Sequence, residues 1–276
     1  MSGKVISFIN MKGGVGKTTL CIGMGVYLAQ FFDKKILFID LDPQFNATQS
    51  LMNEFNLEEQ YLTDFSVNNK TIKKIFEAPT KISEKPKLPN KEDVIIKLSD
   101  KIDIIAGTID IIFEDNSKDG AKAKRVRKFI SENNLRNHYD FIFIDCPPTI
   151  SIYTDAALIA SDFYLVPNRI DRYSILGIRL LKQVIDRISY EEELQIKPLG
   201  IVYTMLKDAT MKSDLLKEAF EESTIVNEMG LFRSTTTLVN DLLVGLQGNI
   251  SSNYKKSRED INTLCIEFME RIDANG

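Results

Sequence analysis

The sequence predicts an α/β domain: a doubly wound, mostly parallel sheet flanked by helices. Two observations predict it. Short β-branched runs that are apolar on both faces alternate with longer helical patterns, as buried parallel strands and their crossover helices do. A glycine-rich loop also separates the first run from the first helix. The strands are expected at Val5–Ile9, Ile36–Ile39, Ile102–Ala106, Phe141–Ile144, Phe163–Val166 and Leu199–Tyr203. Helices are expected at Thr18–Phe32, Lys118–Asn133, Ser174–Ile188, Met211–Glu222 and Ile261–Ile272. No internal repeat stands out, and residues 1–276 read as one domain. From about Val67 to Lys101 the rhythm breaks into a lysine-rich stretch with Pro79, Pro86 and Pro89. It reads as a short helix around Thr71–Phe76 followed by an exposed excursion, a solvated loop rather than a partner-binding element.

Composition bounds the function. The 276 residues are 43% hydrophobic and 27% charged, a globular balance with enough apolar side chains for one large core. A net charge of −4 excludes the global basic field of many dedicated nucleic-acid binders, while leaving room for local basic patches. Cys21, Cys146 and Cys265 lie far apart in apolar runs without metal-ligand spacing, which suits buried thiols in a reducing compartment. The N-terminus does not read as a secretory signal, and no apolar run has the length of a membrane span. The expected location is the cytoplasm.

The chemistry is concentrated in three segments. The first strand runs into Asn10-Met11-Lys12-Gly13-Gly14-Val15-Gly16-Lys17-Thr18-Thr19, and a helix follows. Glycines allow backbone N–H groups to turn onto phosphates without side-chain clashes. Lys17 supplies charge to the β- and γ-phosphates, the Thr18 hydroxyl is placed for Mg²⁺, and the helix N-terminus adds its dipole. Met11 stands where the usual phosphate-loop pattern has its first glycine, and Lys12 is an additional lysine within the loop. The second segment, Asp40-Leu41-Asp42-Pro43-Gln44, puts two acids after an apolar strand; the third, Asp145-Cys146-Pro147-Pro148, puts one after another strand. In a parallel sheet the ligand crevice lies at the carboxyl ends of the strands, so all three acids can face the loop. A bare glycine turn before a helix would not bring this set with it. His138, the sole histidine, reads as a loop or capping residue.

With these residues the sequence resembles the ParA branch of the deviant Walker A P-loop ATPases, a group that includes the MinD cell-division regulators and nitrogenase iron protein. Lys-Gly-Gly-Val-Gly-Lys-Thr-Thr is similar to the family's signature loop. Asp40–Gln44 with Asn46-Ala47-Thr48 is similar to its second motif, and Asp145–Pro148 to its Walker B motif. Thr154–Ala157, Ala160–Asp162, Arg172–Gly177 and Thr204-Met205 extend the resemblance, which fades in the Val67–Lys101 excursion and after about Thr210. It implies that Lys12, Gly13, Gly14, Val15, Gly16, Lys17, Thr18, Thr19, Thr204 and Met205 bind ATP. Lys12 would reach across a homodimer to the nucleotide of the other subunit. Thr18, Asp40 and Asp145 would hold Mg²⁺ or its water shell, and Asp42 would activate the attacking water. Catalysis would then rest on Asp42, Lys12 and Lys17. Phe45 departs from the family, where glycine is common.

The resemblance also implies a task. The cysteines do not fit an iron–sulfur cluster. The segment Ser257–Ile272 is amphipathic, with Ile261, Leu264, Cys265, Phe268 and Ile272 at helical spacing, but its polar face is chiefly acidic. It therefore reads as packing on the sheet rather than gripping a membrane. Partition ATPases bind non-specific DNA as ATP-bound dimers. Lys207, Lys212, Arg233, Lys255, Lys256 and Arg258 are the candidate phosphate contacts, although the arginines usual in relatives are not clearly matched. A second cluster, Lys122, Lys124, Arg125, Arg127 and Lys128, reads as the solvated face of a helix. The expectation is a nucleoid-associated ATPase that segregates a plasmid, chromosome or mobile element, stimulated by a ParB-like centromere-binding protein. The alternative is a MinD-like or cargo-positioning ATPase acting on membrane or protein. The stretch before the loop is too short for a helix-turn-helix module, so operator binding by this chain alone is not expected.

Overall fold

The computed structural model describes residues 2–77, 87–114, 120–207 and 211–275. Seven strands build one sheet: β1 (Lys4–Phe8), β2 (Ile36–Asp40), β3 (Ile95–Lys97), β4 (Ile102–Ile105), β5 (Phe141–Asp145), β6 (Phe163–Asn168) and β7 (Lys197–Tyr203). Their spatial order is β3-β4-β2-β5-β1-β6-β7. Every pairing is parallel except β3 with β4. The alternation of side chains across the sheet divides the core in two. Val5, Leu37, Ile39, Ile142 and Ile144 face one apolar layer, and Ile6, Phe8, Phe38, Phe141 and Phe143 face the other.

Helices of eight residues or more cover both layers: α1 (Lys17–Phe31), α2 (Asn46–Glu54), α3 (Arg125–Glu132), α4 (Ile152–Ala160), α5 (Ser174–Glu191), α6 (Met211–Glu221) and α7 (Lys255–Asn275). α3, α4 and α5 pack on the first layer; α1, α2 and α7 pack on the second. The predicted apolar stripe of α7 (Ile261, Leu264, Cys265, Phe268 and Ile272) is buried, with Phe268 edge-on to Phe141 and Phe143. No helix among the described residues is long and apolar enough to cross a membrane.

All six predicted strands are present, and the seventh, β3, lies inside the supposed excursion. There Val94 and Ile96 are buried, so the excursion ends as a core-facing edge strand rather than a solvated loop. The expected turn of helix before it occurs at Lys73–Phe76, while 78–86 fall outside the described residues. The predicted helix Lys118–Asn133 is broken at Lys124 into Gly120–Ala123 and α3, and Lys118 and Asp119 lie outside the described residues. This break corrects the solvated-face reading at one position. Lys122 is buried because the short Gly120–Ala123 turn packs against α4, whereas Lys124, Arg127 and Lys128 are exposed.

Candidate active site

The loop after β1 and the carboxyl ends of β2 and β5 meet at one cleft. Gly14 and Gly16 take φ of 68° and 83°, the left-handed region that glycine enters without steric cost, and Gly16 precedes α1 directly. A cleft of about 340 Å³ opens in front, bordered by Gly13, Gly14, Gly16, Lys17, Thr18 and Thr19 from the loop and α1. Asp42, Thr204 and Met205 border it too, so predicted site residues just past the ends of β2 and β7 converge on it. Val15 is buried beneath the loop, its carbonyl accepting the Thr204 hydroxyl at 2.7 Å.

The acids stand side by side because their strands do. Asp40 of β2 is in register with Asp145 of β5, and Phe8 of β1 is in register with Asp145 on the other side. Thr18 Oγ1 donates to Asp145 Oδ2 at 2.7 Å, while Asp145 Oδ1 is buried and has no hydrogen-bond partner among the described residues. A buried carboxylate oxygen without a partner beside a threonine hydroxyl is the donor set a magnesium water shell would complete. Burial drives the Asp145 pKa well above its ordinary value, and Asp40 adds repulsion. Burial likewise raises Asp40 to about 7, opposed by hydrogen bonds from Thr48. Asp42 is raised chiefly by burial. Lys17 is lowered by burial, with Asp145 the largest opposing influence, and its Nζ donates to the Lys12 carbonyl at 3.1 Å. The site thus holds three acids whose ionised forms a divalent cation would stabilise, and one buried lysine whose charged form a polyphosphate would stabilise.

Lys12 does not enter the cleft. Its Nζ forms an ion pair with Asp171 Oδ1 at 2.7 Å, just before α5. Its stem lies over Gly177, where an added Cβ would sit 3.3 Å from Lys12 Cε. Burial raises the Asp171 carboxyl, but the Lys12 and Tyr173 hydrogen bonds outweigh it and hold the pKa below the ordinary value. Sequence reasoning quoted the neighbouring Arg172–Gly177 segment and missed Asp171. It also missed α2, whose Asn46, Gln49 and Ser50 line the cleft, and the Thr236–Val239 segment on its far wall. No spacing signal marks that segment, because it reaches the cleft through tertiary packing alone.

The candidate DNA contacts do not form one patch of equivalent groups. Arg233 is 82% exposed but is held by Glu270 at 3.3 Å and lies 3.9 Å from Glu267. Arg258 is exposed and donates from Nε to the Ser252 carbonyl at 2.6 Å. Lys207, Lys255 and Lys256 are exposed, and among the described residues none of them makes an ion pair. The side chain of Lys212 lies outside the described set. His138 closes the short turn Leu135–Asn137 on the exposed surface, 3.4 Å from Lys91, at the opposite end of the sheet from the cleft.

Comparison with known proteins adds a family to this geometry. The model of an AAA domain family matches residues 3–197. Sporulation initiation inhibitor protein Soj of Bacillus subtilis (strain 168) is 30% identical over 208 residues, 75% of either chain. The chain belongs to the ParA/Soj-type P-loop ATPases. Among other similar proteins, chromosome-partitioning ATPase Soj of Treponema pallidum (strain Nichols) is 29% identical over 208 residues, covering 75% of this chain and 74% of that one. A structure of a putative plasmid partition protein from Borrelia burgdorferi B31, bound to AMPPNP, superposes along the whole of both chains with a TM-score of 0.73 at 19% identity. In this chain the loop Lys12–Thr19 follows β1, and Asp40 and Asp145 end β2 and β5.

Proposed function

We propose that this ATPase works as a partition protein: one domain that binds ATP with Mg²⁺, dimerises around two nucleotides, and grips non-specific DNA in that state. The similar proteins named for chromosome and plasmid partition support the task. The observation that carries the reading is Lys12. A lysine inside the phosphate loop that points out of its own cleft, onto Asp171, is available to a second nucleotide once that ion pair opens. The pair is partly exposed, so opening it costs about 1 kcal/mol or less, well within what a triphosphate offers. Lys12 would bind the nucleotide of the partner subunit, Lys17 and the loop amides that of its own.

Thr18, Asp40 and Asp145 would hold Mg²⁺ or its water shell, which neutralises the charge gathering on the phosphates during transfer. Asp42 would orient the attacking water from the open side of the cleft. Hydrolysis would be slow until a ParB-like protein stimulates it. For DNA, the first turn of α7 is the favoured contact. Lys255, Lys256 and Arg258 crowd a helix N-terminus that holds no acid, where dipole and side chains alike call for an anion. Ser257 and Ile261 of the same helix line the nucleotide cleft, so the cation cluster and the nucleotide share one rigid element. Arg233 contributes less, its charge being met by Glu267 and Glu270.

The test is binding to a duplex of arbitrary sequence with ATP, with ADP and without nucleotide, for the wild type and Lys12→Ala, over a salt titration. Support is ATP-dependent binding that weakens steeply with salt and vanishes in Lys12→Ala. An ATP-bound dimer that ignores DNA at low salt would refute the DNA step and point to a protein or membrane cargo.

A further inference from the structure

We infer that Phe45 and Tyr61 form a clamp that positions Asp40 and Asp42 for hydrolysis, making both aromatic residues positioning residues of the ATPase reaction. The inference rests on the assignment of Asp40 to the magnesium side and Asp42 to the attacking water. Phe45 stands directly after the Asp42-Pro43-Gln44 turn, and its backbone is left-handed, with φ 41° and ψ 37°. A bulky residue is strained there, and such strain persists only where the surroundings hold it. The Phe45 N–H closes the turn onto the Asp42 carbonyl at 2.8 Å, and Gln44 N–H donates to Asp42 Oδ1 at 2.9 Å. The conformation of Phe45 therefore sets where the Asp42 carboxylate points.

The Phe45 side chain is what holds that conformation. Its ring lies 6.1 Å from the ring of Tyr61, tilted by 34°. Tyr61 is buried at the start of a five-residue π-helical turn, Tyr61–Phe65, a geometry that proteins use sparingly and often at functional sites. Its hydroxyl donates to the Gly107 carbonyl at 2.7 Å.

Gly107 is where the clamp meets the acids. A Cβ added there would lie 2.9 Å from Phe45 Cβ and 2.9 Å from Asp40 Cγ, so the bare backbone is wedged between the two. From Gly107 a hydrogen-bonded chain continues inward. Gly107 N–H donates to Thr48 Oγ1 at 2.7 Å, and Thr48 Oγ1 donates to Asp40 Oδ2 at 2.7 Å. The Thr48 N–H donates to the same oxygen at 2.9 Å, and Asp42 N–H donates to Asp40 Oδ1 at 3.2 Å. Because the Thr48 hydroxyl accepts from one side and donates to the other, its hydrogen has a single direction and Asp40 a single orientation. Filling space in the core would require the two rings but not the tyrosine hydroxyl. That hydroxyl holds the backbone of Gly107, the residue that lies against Asp40.

The experiment is steady-state ATP hydrolysis by the full chain, titrating ATP and free Mg²⁺ separately, for Tyr61→Phe, Phe45→Leu and Phe45→Tyr, with melting curves to confirm folding. Asp42→Asn and Asp40→Asn serve as controls. Tyr61→Phe keeps the ring beside Phe45 and removes the hydroxyl that donates to the Gly107 carbonyl. It is expected to lower kcat about three- to tenfold and raise the half-saturating Mg²⁺ concentration, leaving KM for ATP within about twofold. Phe45→Leu is expected to do the same, and Phe45→Tyr to restore kcat, since it retains the ring. Folded Tyr61→Phe and Phe45→Leu proteins with wild-type kcat and Mg²⁺ dependence would overturn the clamp. So would a loss confined to thermal stability. If the aspartate controls hydrolyse ATP like the wild type, it is the assignment of the acids that fails, and the clamp with it.

Discussion

Replacing Asp145 by asparagine is expected to stabilise the nucleotide-free protein and at the same time disable it. Asp40 and Asp145 occupy paired positions on adjacent parallel strands and are both buried. Strands lie about 4.8 Å apart, so two ionised carboxylates there repel by about 3 kcal/mol at an effective dielectric constant near 20. Asparagine removes the charge and keeps an oxygen for the Thr18 hydroxyl, and the atom it alters, Oδ1, has no partner among the described residues to lose. At pH 8 the expected gain is about 1–3 kcal/mol, since relaxation absorbs part of the repulsion. Its pH dependence follows from both carboxyls, since Asp145 is held well above the ordinary carboxylate range and Asp40 is raised to about 7. Between about pH 4 and 7 the native state keeps a proton that the unfolded chain has released, so stability falls as pH rises through that window. At pH 5 the native site holds its protons, the repulsion is gone, and the advantage of the variant is expected to be smaller than at pH 8. The assay is urea unfolding in EDTA at pH 5 and pH 8, repeated at pH 8 with Mg²⁺ and ATP. With ligand the order is expected to reverse, because the wild type gains about 4.1 kcal/mol at a thousandfold excess over Kd and the variant gains little. A variant that is less stable at pH 8 without ligand, or whose advantage is the same at both pH values, would refute the electrostatic account of the site.

Three further outcomes follow from other parts of the molecule. Lys255→Glu with Lys256→Glu is expected to weaken ATP-dependent DNA binding and to reduce the slope of log affinity against log salt by about 2, while hydrolysis without DNA is unchanged; a salt titration reads both. Asp171→Ala frees Lys12 from its ion pair and is expected to lower the protein concentration at which ATP drives dimerisation, by about two- to fivefold, as measured by light scattering. Glu267 is buried and accepts from Arg233 N–H and Ser234 N–H while pairing with Arg271 at 2.9 Å. Glu267→Ala is therefore expected to cost about 2–4 kcal/mol in urea unfolding, whereas Arg233→Ala, at an exposed pair, is expected to cost under about 0.5 kcal/mol.

The sheet was legible because buried parallel strands are written as unbroken apolar runs, and each such run from Val5 to Tyr203 is a strand. β3 escaped because three residues ending in a lysine, inside a lysine-rich stretch, carry too little apolar length to stand out, and only pairing with β4 makes Ile95–Lys97 a strand. α2 and α4 escaped for a related reason. Both are nine residues long and follow motif segments, so their apolar positions read as continuations of the motifs rather than as amphipathic faces. In the site, the loop and the three acids announce themselves through local sequence, since strand register alone brings Asp40 and Asp145 together. Asp171 and Tyr61 do not. The first is 159 residues from Lys12 in sequence, and the second is 46 from Gly107, separations at which pattern carries no information about contact. Phe45 was visible as a departure from the family, but its left-handed backbone and its partner ring belong to tertiary structure.

The central claim is that Lys12 exchanges its ion pair with Asp171 for the nucleotide of a second subunit. The direct measurement is the mass of the particle in solution, by sedimentation with a slowly hydrolysed ATP analogue and Mg²⁺, with ADP, and without nucleotide, for the wild type and Lys12→Ala. The account predicts twice the 31.4 kDa of one chain for the wild type with the analogue alone. It predicts a single-chain mass in the other two states, and for Lys12→Ala throughout even though the variant still binds the analogue. A Lys12→Ala protein that dimerises with the analogue as the wild type does would contradict it.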